Sequence, residues 1–156
     1  MRGSEKVIKE LNDALCSELT AIVQYMVQSE MCANWGYNRL AGITKKRAIE
    51  EMTHAEHLIE RILFLDGMPA VTVPLKPQPG TGVKSQFEIA LKDELDAIKA
   101  YNKANRICRD EGDNGTRELF EKLLHDEENH ADYLETQLFT IQEIGIANYL
   151  AEQMKD

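Results

Sequence analysis

Glu51-Met52-Thr53-His54-Ala55-Glu56 and Glu127-Glu128-Asn129-His130-Ala131-Asp132 decide how this chain folds, and they stand 76 residues apart. The same offset relates Glu18-Leu19-Thr20-Ala21-Ile22-Val23-Gln24-Tyr25 to Glu94-Leu95-Asp96-Ala97-Ile98-Lys99-Ala100-Tyr101, which agree at Glu, Leu, Ala, Ile and Tyr. A lone glutamate followed by an E-x-x-H motif thus occurs twice. Residues three apart share a helix face, so Glu51 points with His54 and Glu127 with His130. The repeat reads as two copies of one helical hairpin.

Periodicity and breakers give four long helices. The first runs from about Glu5 to Asn34 and stops before Trp35-Gly36. Asn38 is placed to cap the second, which continues to about Asp66 and ends at Gly67-Met68-Pro69. The third spans about Val83 to Glu111, with Ser85-x-x-Glu88 as a capping box near its start. Gly112-Asp113-Asn114-Gly115 makes a turn, and Asn114 or Thr116 opens the fourth, which reaches about Ile144. A short amphipathic tail, Ile146 to Met154, follows Gly145. The first and third joints are short and force antiparallel neighbours. The middle joint, Gly67 to Gly82, holds all four prolines (Pro69, Pro74, Pro77, Pro79). Helices of ~28 residues are ~42 Å long, and an extended segment of ~16 residues spans ~50 Å. The middle joint can therefore run the length of the bundle and leave the second and third helices parallel. The expected fold is all-α: a ferritin-like four-helix bundle with one long crossover and a short fifth C-terminal helix, one domain over 1–156.

Glu18 lies among Leu11, Leu15, Ile22 and Tyr25 at core spacing, and Glu94 among Leu91, Ala97, Ile98 and Tyr101. A carboxylate on a core face is costly unless it is paired or bound to metal. Four of them meeting at mid-bundle would repel strongly. Two divalent cations cancel the four charges, and the neutral imidazoles of His54 and His130 complete the shells. Oxygen and imidazole donors without thiolate suit iron or manganese rather than a Cys-rich structural zinc site. Glu51 and Glu127, one from each hairpin, are placed to bridge the ions.

The formal net charge of −9 argues against a nucleic-acid partner, which would want a basic stripe. No apolar run approaches the ~18 residues of a membrane span, and the first residues lead into no signal-peptide core. Cys16, Cys32 and Cys108 are odd in number and form no C-x-x-C pair. That favours free thiols in a reducing compartment, the cytoplasm by default.

Taken with Asn34-Trp35-Gly36, Ile59 to Leu65, Leu134 to Leu138 and Asn148-Tyr149-Leu150, these motifs resemble bacterioferritin over essentially the whole chain. The resemblance implies that Glu18, Glu51, His54, Glu94, Glu127 and His130 are ferroxidase ligands to two iron ions per subunit, with Glu51 and Glu127 bridging. It implies oxidation of Fe(II) by O₂ or H₂O₂ and storage of ferric mineral in a hollow cage of twenty-four subunits built from two-fold dimers. It also implies b-type haem at the two-fold interface with Met52 as the axial ligand from each partner, a redox role for Tyr25, and a small [2Fe–2S] ferredoxin as electron donor for iron release. Asn34, Asp66 and Asp132 match polar residues at the family's pores. Met52 is also where the internal repeat breaks, since its counterpart is Glu128. Beside it Leu19, Ile22, Val23 and Met26, with Ile49, make a second apolar stripe that needs a partner.

Family members with a further iron on the cavity wall hold it with a His and an Asp, where this chain carries Lys46 and Glu50. A protonated lysine is a poor ligand, so iron is expected to reach the cavity by another route, through the dinuclear centre itself. His57 and His125 fall off the repeat and read as surface or supporting residues, and Lys45-Lys46-Arg47 as a solvated patch. Ile146, Tyr149 and Leu150 of the tail need apolar surface to cover. The competing function is a rubrerythrin-like peroxidase or di-iron oxygenase on the same bundle, without mineral storage. The former would add a C-x-x-C domain, which the chain lacks. A shell subunit with no chemistry would have no reason to keep six buried polar groups.

Overall fold

A computed structural model describes residues 1–72 and 75–156, and five helices form among these described residues. They are α1 (Glu5–Asn34), α2 (Asn38–Phe64), α3 (Val83–Asp110), α4 (Asn114–Ile144) and the short α5 (Ile146–Gln153). Side-chain bonds fix their directions. Glu18 of α1 meets Tyr101 of α3 while Tyr25 meets Glu94, and Glu10 meets Lys103, so α1 and α3 run antiparallel. Arg61 of α2 reaches Asp113, which caps the start of α4, while His54 reaches Asp126 within α4, so that pair is antiparallel as well. With two tight hairpins, α2 and α3 are therefore parallel. No helix among the described residues is long and apolar enough to cross a membrane.

The two hairpin joints use one device. α1 and α3 each end at a glycine with positive φ, Gly36 (+85°) and Gly112 (+74°). The next residue then donates back to the helix: Tyr37 N to Cys32 O at 2.9 Å and Asp113 N to Cys108 O at 2.8 Å. Only glycine adopts that left-handed conformation without cost. The caps differ in detail from the sequence expectation. Asn38 is the first residue of α2 and makes no cap, because Tyr37 occupies the capping position. At α3 the cap is Gly82, and the Ser85 hydroxyl accepts from Thr81 N and Gly82 N, both at 3.0 Å. Glu88 instead faces Lys84 at 3.7 Å. Asp113 caps α4 by accepting from Thr116 N at 2.9 Å.

The crossover is strapped along α1. Asn12 accepts from Ala70 N at 2.7 Å and donates to Met68 O at 3.2 Å. Further along the helix, Gln24 accepts from Gln78 N at 2.9 Å and Gln28 donates to Pro79 O at 3.3 Å. Of the prolines read as crossover, Pro69, Pro77 and Pro79 lie in irregular backbone, and Pro74 lies outside the described residues.

Apolar side chains close both ends of the bundle. Val7, Leu11, Leu15, Leu58, Ile62, Tyr101, Phe120 and Leu123 fill one. Tyr25, Leu40, Val83, Phe87, Leu134, Ile141 and Tyr149 fill the other. Each fully buried aliphatic or aromatic side chain contributes about 1.5–3 kcal/mol. The mid-bundle layer between them is polar. The tail finds its apolar cover partly in its own chain: Tyr149 is buried edge-on against Phe87, with ring centroids 6.1 Å apart. Ile146 stays exposed. All three cysteines are free thiols.

Candidate metal centre

Each of the four long helices brings one or two polar side chains into the mid-bundle layer. Helix periodicity turns Glu18 (α1) and Glu94 (α3) inward, and α2 and α4 supply Glu51 with His54 and Glu127 with His130. All six are buried, between 1% exposed for Glu51 and 6% for His130. Their ligand-type atoms fall into two quartets, Glu18–Glu51–His54–Glu127 and Glu51–Glu94–Glu127–His130, each within 4.8 Å. Glu51 and Glu127 belong to both. Two cation positions sharing two carboxylates is the arrangement this donor set can make.

The imidazoles face inward through Nδ1. His54 Nδ1 lies 3.0 Å from Glu51, 3.1 Å from Glu127 and 3.6 Å from Glu18. His130 Nδ1 lies 3.1 Å from Glu51, 3.3 Å from Glu127 and 3.5 Å from Glu94. The two rings stack at 6.2 Å with an interplanar angle of 16°. Glu51 Oε1, Glu127 Oε1 and His130 Nδ1 are buried without a hydrogen-bond partner. Such proximity without hydrogen-bond alignment leaves lone pairs turned toward a common space, which fits cations there. The donors, four carboxylates and two imidazoles without thiolate, suit iron or manganese.

Without cations the cluster has to hold protons. Burial, and then the Glu18 carboxylate, push Glu51 up to about 8. Burial followed by the facing Glu127 holds Glu94 well above the usual carboxylate range, and burial also raises Glu127. Burial by itself would lower His54, but Glu127, Glu18 and Glu51 outweigh it and raise the imidazole.

A second ring of groups holds the first, and it crosses between hairpins. Tyr25 donates to Glu94 at 2.7 Å, and Tyr101 donates to Glu18. Each tyrosine therefore serves the glutamate of the other hairpin rather than that of its own helix. Burial first, then the adjacent carboxylate, raises both phenols well above their ordinary value, so they stay donors. His54 Nε2 donates to Asp126 at 3.0 Å and His130 Nε2 to Glu50 at 3.2 Å. Sequence reading alone does not single out Asp126. The signal for it exists, because Glu50 and Asp126 are themselves 76 apart.

Two cavities reach the cluster from opposite sides. One, of about 820 Å³ between α1 and α3, is lined by Asp13, Ser17, Glu18, Asp93, Glu94 and Asp96 among others. The other, of about 430 Å³ between α2 and α4, is lined by Arg47, Glu50, His54, Asp126, Asn129 and His130. Arg47 is thus more than a solvated charge: it lies 3.3 Å from Glu50 and over the Tyr133 ring at 5.9 Å. Lys46 is exposed, and His57 (half-buried) and His125 (exposed) belong to neither quartet. Met52 projects from the opposite face of α2, 46% exposed, near Ile49 at 51% and with Met26 of α1 at 53%. Leu19 and Ile22 of that stripe pack partly against the core. A single chain therefore leaves the patch around Met52 uncovered. Asn34, Asp66 and Asp132 are exposed.

A ferritin-like domain profile matches residues 8–144. A bacterioferritin of Brucella melitensis is 44% identical over 149 residues, covering 96% of this chain and 92% of its own. One from Mycolicibacterium paratuberculosis is 41% identical over 152 residues, 97% of this chain and 96% of its own. One from Rhodobacter capsulatus is 42% identical over 145 residues, 93% and 90% respectively.

Proposed function

The chain belongs to the bacterioferritin family of iron-storage proteins, and we propose that its mid-bundle cluster is the dinuclear centre at which Fe(II) is oxidised for storage. The observation that carries this is the pair of buried quartets sharing Glu51 and Glu127. Glu18 with His54 would complete one iron position, and Glu94 with His130 the other.

Iron enters as substrate. The four carboxylates bind two Fe(II) at charge neutrality, which favours their ionised forms against the upward shift that burial gives Glu51, Glu94 and Glu127. Each Fe(II) gives up one electron. Dioxygen accepting both takes up two protons and leaves as H₂O₂; H₂O₂ accepting both, with two protons, leaves as two waters. Tyr25 and Tyr101 fix the terminal glutamates by hydrogen bonds, and Tyr25 would take the redox role. Oxidation leaves two surplus positive charges in a dry interior, which weakens retention there. The α2–α4 cavity with Glu50 and Asp126 offers an acidic way out, which supports a route through the centre given Lys46 in place of an inner ligand. The α1–α3 cavity, lined by Asp13, Asp93 and Asp96, serves as the inlet.

The whole chain acts as one ferritin-like domain, assembled in the cytoplasm into a twenty-four-subunit cage from two-fold dimers. The uncovered patch around Met52 is the two-fold face, and its thioether suits b-type haem there, one Met52 from each partner; bound haem would supply electron transfer. Release of stored ferric ion needs an external reductant, a small [2Fe–2S] ferredoxin.

Aerobic addition of Fe(II) to the stripped protein tests the centre. Wild type should oxidise two Fe(II) per subunit in a rapid phase. Glu127→Ala, which removes a carboxylate common to both quartets, should abolish that phase while the assembled particle persists on size exclusion. An unchanged rapid phase would refute the assignment.

A further inference from the structure

We propose that Asp126 and Glu50 are positioning residues that lock the two imidazoles in register, each carboxylate acting on the histidine of the opposite hairpin. The inference rests on the dinuclear centre proposed above and concerns residues outside its ligand set.

The geometry is reciprocal. Asp126 directly precedes Glu127 in α4 and accepts from His54 Nε2 of α2 at 3.0 Å. Glu50 directly precedes Glu51 in α2 and accepts from His130 Nε2 of α4 at 3.2 Å. Consecutive helix residues are about 100° apart around the axis. One acid of each pair therefore points into the centre and the other toward the facing helix. An imidazole is nearly symmetric in shape, so packing alone distinguishes poorly between its two flipped orientations. A carboxylate on Nε2 does distinguish them: it keeps the proton on that nitrogen and turns the Nδ1 lone pair inward.

The two arms differ. Asp126 is not shared with any cation among the described residues, and its side chain is 38% exposed. Glu50 is 54% exposed and also faces Arg47 at 3.3 Å. A carboxylate divided between His130 and Arg47 holds the ring less firmly than an undivided one. His54 is thus the more tightly oriented of the pair.

Co(II) binding to the assembled, metal-stripped protein tests this by isotherm and by visible d–d spectrum, without any turnover. Wild type should take up two Co(II) per subunit. Asp126→Asn should weaken one position by roughly 10- to 100-fold and change its d–d bands. Glu50→Gln should act on the other position by a smaller factor, and Asp126→Glu should restore most of the first loss. Isotherms and spectra of both variants that superimpose on wild type would overturn the proposal. Loss of both positions in either single variant would also overturn it, by marking the carboxylate as structural. A wild-type protein that takes up no Co(II) would sink the dinuclear centre itself, and the positioning role with it.

Discussion

Glu51 shows most clearly what the buried layer costs. Its carboxyl, ordinarily near 4.5, is pushed up to about 8 by burial and Glu18, with Glu94 and Glu127 shifted the same way. The folded, metal-free protein therefore binds more protons than the unfolded chain between about pH 4.5 and 8, and its stability falls as pH rises through that window. His54 has the same sign, since a raised imidazole contributes fully below its ordinary 6.5 and loses that contribution as pH climbs. Divalent cations need the deprotonated groups, so their stabilisation grows with pH. The expected outcome is a thermal midpoint that drops from about pH 5 to pH 8 for stripped protein and stays level or rises with saturating Zn(II). A stripped midpoint that climbs over that range would contradict the upward shift of the buried carboxyls. The six inward residues were legible in the sequence because acids at core spacing, repeated at one offset, have few explanations. Asp126 was harder to read, because an acid on a helix flank is ordinarily a solvated group, and its 76-residue offset from Glu50 gains meaning only beside His54.

At the scale of elements, the two hairpins and the parallel α2 and α3 were legible because periodicity, glycine breaks and one proline-rich joint all agree. The caps were harder to read. Asn38 and the Ser85–Glu88 spacing fit the usual patterns, yet neighbouring backbone had other partners: Tyr37 N bonds back to Cys32 O, and Gly82 N takes the Ser85 hydroxyl. Asp113 carries more than a cap. It accepts from Thr116 N and from Arg61 Nη2 at 2.9 Å each, joining the start of α4 to the end of α2. Asp113→Ala should cost about 1 kcal/mol from the lost cap and speed amide hydrogen exchange in the first turn of α4. Exchange there matching wild type would mean the cap is redundant. The crossover depends similarly on Asn12, which holds Met68 and Ala70 together.

At the scale of the whole molecule, one bundle carries two separate devices on opposite sides of α2. The inward face holds the polar layer between two apolar plugs. The outward face, with Met52, Ile49 and Met26 exposed, is unfinished in a single chain, and such a patch calls for a second copy. Met52→Leu keeps that face apolar while removing its sulfur. It should eliminate the haem Soret band and leave particle size and rapid Fe(II) oxidation close to wild type; retained haem would point to another ligand. The apolar stripe beside Met52 showed in the sequence that this face needs a partner, whereas haem there is implied by resemblance alone, because an exposed methionine does not name its ligand. The polar layer can serve as a dinuclear centre only if cations occupy it. Anomalous diffraction at the iron edge from Fe(II)-soaked crystals tests that most directly. Two peaks per subunit are expected, both between Glu51 and Glu127, one beside His54 and the other beside His130. An iron-replete crystal with no peak among those side chains would contradict it.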